Sequence, residues 1–202
     1  HQGLTRHIED KSSATIAYEN AGEWAAKTGR GYFRVITEYV GNTFDQEPRI
    51  VPVMDAFSVT LGPHIMPDGS DAKRGTITEY LSEDEFKRLF PKAKWETGHF
   101  DGLGEFSQTW RTDKTIAVAE HFYVDYKETE LFFLANGDVV EKDKFDGAEA
   151  DIQKRRPAQI ETVKWVKLTG AEILEERDWL GKYIPIVEVI GKQSVVEGKQ
   201  IV

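Results

Sequence analysis

The order of two periodicities along this chain restricts its fold more than any single motif. Over 3–28, apolar residues recur at three- and four-residue steps. Ala14, Ala17, Tyr18, Ala21, Trp24, Ala25 and Thr28 share one face, and Leu4 and Ile8 repeat the spacing upstream. That pattern predicts an amphipathic helix. Beyond residue 31 the apolar residues alternate with period two or fall in short aromatic and β-branched runs, the mark of strands. A helix followed by many strands predicts an α+β fold, with the N-terminal helix packed on a mostly antiparallel sheet, rather than alternating βαβ units.

Local signals subdivide this scheme. Lys11-Ser12-Ser13 is polar on all sides, so it is either the exposed middle of one helix or a break with Ser12 or Ser13 as a new N-cap. Gly29 and Gly31 supply the helix stop. Strands are predicted at 32–40, 57–61, 76–81, 116–124, 131–134 and 139–140, with Asn136-Gly137 as a tight hairpin between the last two. The run 49–53 also alternates, but Pro52 has no N–H for a ladder and makes it an edge or a short strand. Ser82-Glu83-Asp84-Glu85 is a capping box that opens a short second helix over 83–90. Residues 63–75 and 92–112 read as loops, and 141–157 as a charge-rich stretch containing the single basic cluster, Lys154-Arg155-Arg156.

Near the C-terminal end, 163–168 alternates, Thr169-Gly170 turns, and Ile173-Leu174 leads into a polar loop at 175–178. Trp165, Leu168 and Ile173 are expected to point inward. Trp179 and Tyr183 pin the entry to the strand at 184–187, where Pro185 implies an edge or a crossing segment. Both ends of the sequence look cut, so 1–202 is expected to be one excised domain.

The chain is long enough for one domain with a real core. It has no run of about 18 apolar residues, so no transmembrane helix is expected. There is no cysteine, which rules out disulfides, thiolate metal sites and cysteine nucleophiles, and fits a reducing cytoplasm. The net charge of −9 argues against tight DNA binding, because neutralising phosphate needs cations. No phosphate-binding glycine loop follows a strand. The histidines never fall at ligand spacing, so neither a metal nor a cofactor is expected. Pro67-Asp68-Gly69-Ser70-Asp71 lacks the rest of a calcium loop and reads as a turn. Asp101, Glu105, Asp113 and Glu120 leave open a carboxylate-dependent hydrolase on a β-rich domain. The basic cluster reads as a solvated charge run, since acidic residues flank it and no aromatic interleaves it. Trp24 and Trp165 lie on apolar faces and are expected in the core. Trp95, Trp110 and Trp179 fall in predicted loops. With Tyr183 they are the candidate interface residues, either anchoring a partner or plugging the edge of the core.

The stretch Lys164-Trp165-Val166-Lys167-Leu168-Thr169-Gly170, the following Leu174-Glu175-Glu176, and Trp179-Leu180-Gly181-Lys182-Tyr183-Ile184-Pro185-Ile186 resemble, in that order, the end of the wing region of portal proteins of short-tailed bacteriophages. Gly3-Leu4-Thr5-Arg6-His7-Ile8-Glu9 is similar to a helix opening of the same family, and 17–21, 31–39, 44–46, 68–72, 82–87 and 118–124 follow colinearly. The likeness lapses in 92–112 and 141–158. It implies a non-catalytic structural segment of a homo-oligomeric ring, usually of twelve subunits, at a capsid vertex. DNA passes through that ring at packaging and ejection. The implied partners are terminase, coat, scaffolding and tail-adaptor proteins, and the implied location is the virion, assembled in the host bacterial cytoplasm. The family's stem, clip and crown are not in this sequence, and 164–189 would join the wing sheet to the stem. A binding module of another virion protein, anchored by the exposed tryptophans, is the other reading.

Overall fold

In the computed structural model, which describes residues 2–95, 114–192, 194–196 and 199–201, two helices lead into two facing sheets. The predicted N-terminal helix is two: α1 (Gln2–Ser12) and α2 (Ala14–Thr28). They part at Ser13, which is left-handed at φ 48° and makes no side-chain cap. Ser12 is the serine that is used. Its hydroxyl donates to Ile8 O (2.5 Å) and accepts from Ile50 N–H (3.0 Å), fastening the break to the sheet below.

The first sheet has the order β2-β1-β9, from β1 (Arg30–Tyr39), β2 (Gln46–Pro52) and β9 (Ile186–Ile190), all antiparallel. β2 is an edge, as its prolines require. Alternation along β1 sends Phe33 and Val35 toward the helices and Tyr32 and Arg34 toward the second sheet. The buried stripe of α2 is Ala14, Ala17, Ala21 and Ala25. Only such small residues let the helix touch the sheet backbone. A Cβ on Gly31 would lie 1.9 Å from Ala21 O, so Gly31, expected as a helix stop, is instead a point of contact within β1. Gly29 supplies the left-handed C-cap, φ 89°.

The second sheet has the order β3-β4-β5-β7-β8, with β6 also on β5. Its strands are β3 (Val59–Leu61), β4 (Arg74–Ser82), β5 (Thr115–Leu134), β6 (Val139–Glu141), β7 (Ile152–Leu168) and β8 (Ile173–Trp179). Helix α3 (Glu83–Leu89) carries the predicted capping box between Ser82 and Glu85. The main core lies between the sheets: Tyr32, Ile184 and Ile186 from one side, Ile77, Phe122, Val163 and Trp165 from the other. Further along the same face of β5, Ile116 and Val118 pack under Phe86 of α3. A hairpin, β10 (Ser194–Val196) with β11 (Lys199–Ile201), follows β9.

Four local expectations change. The strand at 57–61 is shorter, because Ala56–Ser58 forms a 3₁₀ turn capped by the Asp55 side chain. The runs 116–124 and 131–134 belong to one twenty-residue strand, β5. The polar segments 152–157 and 175–178 are strands, in β7 and β8. Finally, Ile173 is 61% exposed and does not point inward. The second and third changes share a cause: backbone ladders need no apolar side chains where a strand has no face to bury. The Asn136-Gly137 hairpin forms as predicted, with Gly137 at φ 90° and Asn136 Oδ1 accepting from Asp138 N–H (3.0 Å). The predicted loop 92–112 lies mostly outside the described residues.

Candidate functional site

Two of the four candidate interface residues meet in one place. Trp179, at the end of β8, and Tyr183, just before β9, line a groove of about 750 Å³. β1 forms one wall through Val35, Ile36 and Thr37, the segment 180–185 the other, and Ile186 and Val187 close the floor. The wall is held from inside. The Trp179 ring packs edge-on against buried Phe122, centroids 5.5 Å apart, and a Cβ on Gly181 would meet Trp179 Nε1 at 2.6 Å, so the turn folds directly onto the indole. Tyr183 is 57% and Leu180 85% exposed, so the outer lip is apolar and faces water. Trp179 is therefore both a core-edge plug and a groove residue. Trp95 is elsewhere, edge-on to Phe86 at 5.6 Å beneath α3. Trp110 lies outside the described residues. Val35–Thr37 and Leu180 lie in segments that resemble the portal family but were not among the candidate interface residues. The groove could have been suspected only from Pro185, which interrupts a ladder.

The charged groups near the groove are mostly committed to structure. Asp71 accepts from Ile65 and Met66 N–H (2.8 and 2.9 Å), which holds its carboxyl below the usual range, and Asp68 accepts from Ser70 N–H (3.0 Å) with the same effect. The predicted turn at 67–71 is thus built by its own carboxylates. Behind it, the Glu188 side chain is 1% exposed. Glu188 accepts from Tyr32 Oη (3.2 Å), pairs with Arg30 Nε at 3.4 Å and lies 2.7 Å from His64 Nε2. His64 Nδ1 lies 2.8 Å from the carbonyl oxygen of Gly62. Burial, then the Glu188 charge, pushes the Tyr32 hydroxyl up.

A second carboxylate, half-buried Glu120, was a hydrolase candidate in the sequence. It is clamped by Arg34 Nη2 (2.7 Å), Lys167 Nζ (3.3 Å) and Trp165 Nε1 (3.2 Å). Burial pushes its carboxyl up, but the Arg34 and Lys167 charges and these hydrogen bonds outweigh burial and hold it low. A carboxylate so paired fastens one sheet to the other. Its proposed companions Asp101, Glu105 and Asp113 lie outside the described residues. Among the described residues no cluster of three or more His, Cys, Asp or Glu is placed to hold a metal ion, and no helix is long and apolar enough to cross a membrane. Lys154, Arg155 and Arg156 are exposed along β7, where Arg155 pairs with Glu149 and stacks over Phe132.

The arrangement is therefore an apolar groove for contact, set on a scaffold whose buried charges are paired. Comparison with curated proteins finds no match. The family described as Phage P22-like portal protein matches residues 1–202, the full span of the sequence, in agreement with the colinear resemblance of its segments, and the chain belongs to that family.

Proposed function

We propose that residues 1–202 are the wing segment of a portal subunit and act in the ring through which phage DNA is packaged and ejected. Family membership carries a structural role in the phage virion, within an oligomeric assembly with other virion proteins. The finer reading is a ring of twelve subunits, met by terminase, coat, scaffolding and tail-adaptor proteins, in which this segment catalyses nothing and uses no cofactor. The observation that carries it is the family match over the whole of 1–202. Two features support it. A net charge of −9 gives DNA little to hold, which suits a wall past which it slides. The candidate surface is an apolar groove flanked by exposed aromatic and aliphatic side chains, as suits contact with protein.

Electron microscopy of the full-length protein tests this reading. Closed rings are expected. A protein that stays monomeric at micromolar concentration would overturn it.

A further inference from the structure

β1 carries an unfinished ladder. Val35 N–H donates to Pro185 O at 3.1 Å. In an antiparallel sheet, backbone groups alternate from one side of a strand to the other. Those of Val35, Thr37 and Tyr39 therefore point to the β9 side, and those of Arg34, Ile36 and Glu38 to β2. On the β2 side pairing continues to Tyr39, opposite Gln46. On the β9 side it stops at Arg34, opposite Ile186. Pro185 has no N–H to return to Val35 O, and the chain before it turns away toward Trp179. Among the described residues, Thr37 and Tyr39 have no backbone partner on this side. Of this open edge, Thr37 lines the groove together with Leu180 and Tyr183, and Tyr39 lies two residues further along β1.

We propose that the groove is a strand-addition site for a second copy of this chain: an extended segment of the neighbouring subunit pairs with Thr37 and Tyr39 and lays its alternate side chains between β1 and Leu180. This rests on the ring reading above. An open row of donors and acceptors beside an apolar wall is matched by extended polypeptide, whose main chain completes the ladder while alternate side chains fill the groove. Charge selects the copy. The groove's carboxylates are engaged, Asp178 by Lys164 and Asp68 by its own turn. Of its cations, Lys182 lies over the Tyr183 ring and acts on Glu161, whereas Arg177 lies over the Trp165 ring and makes no ion pair among the described residues. A rim that presents the uncompensated Arg177, on a molecule of net charge −9, is complementary to the rest of the same molecule.

Hydrogen exchange on the full-length protein, assembled and as monomer, tests the proposal. The Thr37 and Tyr39 amides are expected to exchange at least about tenfold more slowly in the ring, with Ile36 and Glu38 protected in both states. Thr37→Pro removes the N–H that faces the open side and spares the bonds to β2. Leu180→Asp changes a side chain that is 85% exposed and so leaves folding intact. Each is expected to raise the concentration needed for assembly at least about tenfold, with the monomer's thermal midpoint little changed for Leu180→Asp. Rings that form with Thr37 and Tyr39 exchanging as in the monomer overturn the proposal and leave the ring reading standing. Protection already present in the monomer assigns the groove to the same chain, and protection that appears only on adding another virion protein assigns it to that protein. Either result overturns the second-copy proposal. A full-length chain that never assembles overturns both readings.

Discussion

One pair of strands crosses two different environments. Over 115–124, β5 is paired with β4 and, from Ala119 on, also with β7, and Ile116, Ala117, Val118, Ala119 and Phe122 are each at most 2% exposed. Over 125–134 the same ladder with β7 continues for a further ten residues, about 30 Å, without β4 or β8 beside it. There it is dressed with exposed ion pairs, Lys127–Asp143 and Lys142–Glu130 among them. Its one buried large side chain is Phe132, edge-on to Phe145 and covered by Arg155, where β6 joins. The β5–β7 ladder runs on into the outer half, but only the inner half has the β4 ladder and the apolar burial, so the difference in stability comes from both. A two-stranded ribbon is marginal by itself, and exposed ion pairs add little. The inner half is expected to carry global stability, and the outer half to open locally.

The sharpest way to break this comparison is Phe122→Ala. Phe122 is fully buried between the sheets and supports Trp179, so its truncation is expected to cost about 3–5 kcal/mol in chemical denaturation. A loss below about 1 kcal/mol would show that the sheets do not depend on this contact. Next comes Glu120→Gln, which leaves Arg34 and Lys167 half-buried without their counter-charge and is expected to cost about 3 kcal/mol at neutral pH. The Glu120 carboxyl is held below its ordinary 4.5 in the fold. Its contribution is therefore complete above pH 4.5 and is lost as pH falls through the lower folded value. Glu120→Gln is expected to flatten the acid limb of a stability–pH curve, and an unchanged limb would contradict the assignment. The smallest global effect is expected from Phe132→Ala, which should leave the denaturation midpoint near wild type while the amides of 126–134 and 153–161 exchange faster. A midpoint shift as large as that of Phe122→Ala would show that ribbon and body unfold as one unit.

The same contrast explains what could be read in the sequence. Elements with one buried face announced themselves: the alanine stripe of α2, the capping box of α3, the alternation of 163–168. The middle of the outer ribbon, its β7 strand and β8 did not, because Lys154-Arg155-Arg156 and Glu175-Glu176-Arg177-Asp178 carry no apolar period. The candidate site was half legible. Trp179 and Tyr183 stood out as aromatics near Pro185, but the opposite wall, Val35 to Thr37, lies far away in sequence and read only as part of a strand.

The sequence by itself determined the order of helix and strands, the two stops at Gly29 and Pro185, and the family, because these reside in local periodicity and in colinear residues. Tertiary structure alone decided that β1 and β9 pair for only part of their length, that Glu120 is a clamp between sheets, and that Trp179 joins core to groove. Each depends on groups distant in sequence meeting at fixed register, and register between distant strands is set by which side chains fit the core between them.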